Sequence, residues 1–184
     1  YTNPYLQATL CARATAHQLR AGDYLASGLQ DSPLGSTFSI RANYPVGLQL
    51  LVPGQTSVPG SGVFPAGGKA GIPSTATAGV PFTVTVNLVD SYNNLNDGAP
   101  TLPNVFVNTN DPFDINPSTA PLADGTRQIV VTPVTKSTGL VLSVYSVTQA
   151  EDKICGLNGD LQCRNEAAAS VSPPFKVWAS SASR

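Results

Sequence analysis

Residues 77–94 constrain this chain more than any other stretch. Here Val80, Phe82, Val84, Val86 and Leu88 alternate with Pro81, Thr83, Thr85 and Asn87. A period of two sends one set of side chains to a buried sheet face and the other to solvent. Gly79 and Pro81 mark the start, and Asp90-Ser91-Tyr92-Asn93-Asn94 reads as a turn at the end. The stretch predicts one half-buried strand of a β-sandwich.

Further strands follow the same rule. Phe38, Ile40 and Ala42 alternate with Thr37, Ser39 and Arg41, and residues 46–52 form another apolar run. Strands are also expected at 104–108, at 126–135 (Ile129, Val131 and Pro133 on one face) and at 175–178. Residues 139–148 read as one strand with Leu140, Leu142, Val144 and Ser146 on one face and Val141, Ser143, Tyr145 and Val147 on the other. Turn signals recur about every ten residues, which fits an all-β, immunoglobulin-like β-sandwich. Residues 1–30 fit helical spacing through Leu6, Leu10, Ala14, Leu25 and Leu29, and alternation near Leu6–Ala12 fits a strand equally well. Residues 53–75 are rich in glycine and proline. They predict a long extended strap pinned by Val58, Val63, Phe64 and Ile72, with a flexible linker as the alternative.

Only 11% of the 184 residues are charged, against about 25% in an average globular domain. Thr, Ser, Asn and Gln therefore build the polar surface, as suits an extracellular or cell-surface protein. A net charge of −1 provides no field to draw nucleic acid. There is no apolar run of the roughly 20 residues that a spanning helix needs, so no membrane span is expected. Of the three cysteines, Cys155 and Cys163 bracket a turn-rich stretch and are read as a disulfide pinning the loop 155–163. Cys11 is left as a small buried hydrophobe or as a thiol paired elsewhere.

Candidate chemistry is sparse. His17 is the only histidine, and no nucleophile elbow accompanies it, so no catalytic residue is assigned. Asp90, Asp97, Asp111, Asp114 and Asp124 fall in expected loops. The cluster at 108–114 offers several oxygens and is read first as turn formers, with calcium as the second reading. No cofactor and no metal ligand set is assigned. Trp178 is expected in the core or in packing between modules.

One resemblance stands out. Residues 48–60, the run 71–87 and the turn 90–94 resemble the opening of immunoglobulin-like repeats from large secreted or surface-anchored microbial proteins. Residues 123–131 and 137–142 resemble later strands of those repeats. The likeness covers about residues 46–148. It implies a non-enzymatic structural module of an extracellular or cell-surface array or filament, and alternatively an adhesin-type domain gripping a glycan or protein through its loops. Self-association or neighbouring modules are the implied partners. The expected division is an N-terminal segment, 1–45, and a sandwich, 46–184. A weak echo between residues 32–42 and 170–179 suggests that the first segment is the tail of a preceding module or an assembly segment.

Overall fold

The computed structural model describes residues 8–22, 28–114, 119–147 and 168–180. These contain no helix and 14 strands: β1 (Ala14–His17), β2 (Phe38–Ile40), β3 (Pro45–Leu51), β4 (Thr56–Ser57), β5 (Lys69–Ala70), β6 (Ala76–Thr77), β7 (Phe82–Asp90), β8 (Asn104–Thr109), β9 (Ala120–Pro121), β10 (Thr126–Val131), β11 (Ser137–Leu140), β12 (Leu142–Val147), β13 (Ser170–Val171) and β14 (Phe175–Trp178).

Three sheets on two sides pack around one apolar core. One has the order β10-β7-β3, all antiparallel. The other side is built from β13-β12-β8-β9 and from β11-β14-β6, in which β14 and β6 run parallel. Leu48, Leu50, Val84, Val86, Leu88, Ile129 and Val131 face Val105, Val107, Leu140, Leu142, Val144, Phe175 and Val177. Each such fully buried side chain contributes about 1.5–3 kcal/mol by leaving water. Phe82 meets Phe175 edge-on at 5.9 Å and closes one end of the core.

The segment 168–171 joins the two sides. Ala168 bridges Gly47 in parallel, with Leu48 N–H donating to the Ala168 carbonyl, while β13 pairs with β12.

The strand expected over 139–148 keeps its inward face, since Leu140, Leu142 and Val144 are all buried. It nevertheless serves two sheets, pairing with β14 before Val141 and with β8 after it. Asn110 makes the switch. Its Oδ1 accepts from Val141 N–H at 2.9 Å and its Nδ2 donates to the Gly139 carbonyl at 3.1 Å. Its backbone N–H donates to the Val141 carbonyl.

The strap at 53–75 lies over the outer face of the β10-β7-β3 sheet and carries the hairpin β4–β5. Gly47 leaves room for the Phe64 ring, which a Cβ at 47 would meet at 2.3 Å. Of the expected pins Phe64 is thus seated, but Ile72 is 85% exposed and Val63 also faces solvent. The strap's other anchors are polar. Gly60 and Phe64 donate backbone N–H groups to the carbonyls of Tyr92 and Ser91.

Where described, the N-terminal segment has two short strands and no helix. β1 and β2 pair as an antiparallel hairpin, and the helical alternative finds no counterpart there.

Candidate functional site

The turn that follows β7 joins three parts of the chain. Asp90 is buried, and its carboxylate accepts from the backbone N–H groups of Tyr92, Asn94 and Asn43 at 2.8–2.9 Å. The Asn94 side-chain amide donates to both carboxylate oxygens. The acid thus freezes the turn and holds the chain entering β3. Asn93, at a φ of 60°, points its amide into the strap and donates to the carbonyls of Gly62 and Ala66. Gly68 fits beside it because it lacks a Cβ, which would lie 2.3 Å from Asn93 Cγ.

The same turn grips the hairpin. Asn94 Oδ1 accepts from Arg13 N–H at 2.7 Å, and Asn94 Nδ2 donates to the Cys11 carbonyl at 2.8 Å. The Arg13 guanidinium donates to the Leu95 carbonyl and pairs with Asp97 at 2.5 Å. Asn96 donates its side-chain amide to the Asn43 carbonyl at 2.6 Å, while its own Oδ1 is buried without a partner among the described residues. A cleft of about 450 Å³ remains between hairpin and turn, lined by Cys11, Ile40, Arg41, Asp90 and Tyr92.

The opposite end of the sandwich has a second buried acid. Asp111 accepts from the backbone N–H groups of Thr135, Val134 and Phe113 and from the Thr135 hydroxyl, at 2.7–3.1 Å. Burial alone pushes this carboxyl up. The donors from Thr135, Phe113 and Val134 more than reverse that and hold it at about 2. The loop so fixed displays Phe113, which is 71% exposed, and Val134. Val80 and Trp178 lie at the same end, since Gly79 N–H donates to the Pro133 carbonyl and Ala78 N–H to that of Trp178. A cleft of about 180 Å³, lined by Pro53, Ala76, Val80, Pro81, Phe82 and Phe175 and by Ser74, Thr75 and Thr77, opens beside them.

The other candidate residues have ordinary surroundings. His17 Nε2 lies 3.0 Å from the Ala12 carbonyl, and its ring packs near Phe38. Asp114 accepts from the Thr109 hydroxyl. In the 108–114 cluster, Asp111 and Asn110 point their oxygens at the backbone amides of Val134 and Val141 between strands. Trp178 is not a core residue: it is 54% exposed, with Lys176 Nζ 5.8 Å from its ring centroid. Its position on β14 alternates with the buried Phe175 and Val177, so the strand period itself turns it outward. Cys11 is half-buried and has no disulfide partner among the described residues. The disulfide expected between Cys155 and Cys163 lies outside the described residues.

Sequence reasoning identified residues 90–94 as a turn but missed their partners. Those partners are Arg13 and Asn43 in a segment read as separate. Three amide or acid side chains, Asp90, Asn93 and Asn94, in a single turn were the available signal.

The class of protein that the fold defines is an all-β sandwich. No protein-family model, curated protein or solved structure matches the chain.

Proposed function

We propose that this chain is a non-enzymatic structural module of an extracellular or cell-surface array or filament, with an immunoglobulin-like sandwich as its body. What supports the immunoglobulin-like reading is the parallel β6–β14 pair beside a three-stranded antiparallel sheet, with a β11–β12 strand shared between sheets. The observation that carries the structural role is the junction at residues 90–97. There one turn fastens the β1–β2 hairpin to the sandwich through Arg13 and Asn94. Side-chain bonds at a junction fix the angle between the parts it joins, which a spacer in an array requires. The two buried acids hold backbone amides in place, which suits a scaffold better than proton transfer. Low charge and a surface of Thr, Ser and Asn fit an extracellular setting.

The test is electron microscopy of the full chain, with mass photometry beside it. Regular fibres or arrays with a module-sized repeat support the proposal, and a dispersed monomer at all concentrations overturns it.

The second reading is an adhesin-type domain for a glycan or protein. It is favoured by the end of the sandwich where Asp111 rigidly presents Phe113, the end that also carries Trp178, since exposed aromatic anchors on fixed loops suit binding. Saturable binding by the monomer, lost in Phe113→Ala or Trp178→Ala, would support that reading instead.

A further inference from the structure

β10 is the outer strand of its sheet. It pairs with β7 through six unbroken positions, from Thr126↔Asn87 to Val131↔Phe82. The turn before it fixes which backbone groups look outward. Ala123 and Thr126 exchange N–H···O bonds at 2.9 Å, so the Thr126 groups point away from β7. Strict alternation then sends those of Arg127, Ile129 and Val131 to β7, and the N–H and C=O of Gln128 and Val130 outward. No described residue bonds to these outward groups.

Several other sheet edges of the sandwich are blunted. β6 and β9 have two residues each, and β9 contains Pro121. β13 also has two residues and is followed by Pro173 and Pro174. β10 has no proline or bulge and a single charge, Arg127. Its Val130 is 58% exposed. Such an edge lacks the usual devices that prevent strand addition.

We propose that β10 is an assembly edge, and that its occupant is β10 of a second copy of this chain, antiparallel about a two-fold axis through Ile129. The occupant follows from the backbone chemistry. With Ile129 opposite Ile129, Gln128 faces Val130 of the second copy and Val130 faces Gln128. The outward groups of each edge are then satisfied by four hydrogen bonds, with no remainder. Moving the pairing by two residues toward Thr126 would set Val130 against Thr126, whose groups are already bonded to Ala123. In the proposed register each Arg127 faces Val131, and the two guanidinium-bearing positions lie roughly 13 Å apart along the strands. The edge therefore meets its copy without opposing like charges. The two three-stranded sheets become one continuous six-stranded sheet.

This inference rests on the self-association reading above and names its surface. The test is sedimentation velocity of the full chain from micromolar to millimolar concentration, for the native chain and for Val130→Lys and Gln128→Pro. The native chain is expected to dimerise. Both variants are expected to stay monomeric with unchanged melting, because Val130 faces solvent and the Gln128 N–H lies outside the β7 ladder. Amide exchange at Gln128 and Val130 should slow as the native concentration rises. If Gln128→Pro fails to fold, Val130→Lys and the exchange data carry the test. Assemblies that survive Val130→Lys, with fast exchange at both amides, overturn the β10 pairing and leave the structural-module reading standing. A native chain monomeric up to millimolar concentration overturns both.

Discussion

Asn87 donates its side-chain amide to Gln49 Oε1 across 3.1 Å, on the outer face of a sheet where alternation alone expects water. Gln49 Nε2 passes the chain on to the Gly68 carbonyl in the strap at 2.7 Å. The Thr126 hydroxyl donates to Asn87 Oδ1 from the other side at 2.8 Å. Three neighbouring strands, β3, β7 and β10, thus share one buried polar ladder capped by residues 58–68. Replacing Gln49 by Ala strands the Asn87 amide under the strap and leaves the Gly68 carbonyl with only the Val58 N–H. A loss of about 1–3 kcal/mol is expected, measured by urea denaturation. Unchanged stability would mean that the strap does not seal this face.

Phe64 and Gly47 form an interlock of a different kind. Gly47→Ala places a methyl group where the Phe64 ring sits, so the strap must lift. About 1–3 kcal/mol of destabilisation is expected from such overpacking. Combining it with Phe64→Ala should recover part of that loss. Strict additivity in a double-mutant cycle would argue against the interlock.

Asp111 makes stability depend on acid. Its carboxyl is held at about 2 in the folded chain, below its ordinary 3.8. Its stabilisation is therefore complete above the unfolded value and is lost as pH falls through the folded one, between about 4 and 2. The contribution is on the order of 1–2 kcal/mol. Asp111→Asn should flatten the pH dependence of unfolding in this window, read by thermal melts at constant ionic strength. A slope identical to that of the native chain would remove Asp111 as its source.

Arg13 fastens the hairpin without being part of the sandwich. Arg13→Ala should leave the sandwich's melting within about 1 kcal/mol, since the Asp97 pair is partly exposed. Proteolysis within residues 8–42 should nevertheless become several-fold faster. Asn94→Ala, which removes bonds to Arg13, Cys11 and Asp90 together, should both free the hairpin and lower the melting point. Equal protease resistance in all three chains would show that other contacts hold the hairpin.

What the sequence determined by itself was the inward face of the longer strands. Val84, Val86, Leu88, Ile129, Val131, Leu140, Leu142 and Val144 are all buried as their periods require, because a strand's own geometry alternates its side chains. Phe175 and Val177 follow the same rule, and it also turns Trp178 out of the core. Tertiary structure decided the rest. Asn87 and Gln49 are polar by type and buried where the strap folds back over β3, with Gly68 reaching Gln49 across 19 residues of chain. The break at Val141 has no local signal, since Asn110 imposes it from another loop. The grip of residues 90–97 on Arg13 and Asn43 joins positions about 50 to 80 residues apart. Hydrogen bonds formed over such separations leave no periodicity in the sequence, because only the folded chain brings their partners within reach.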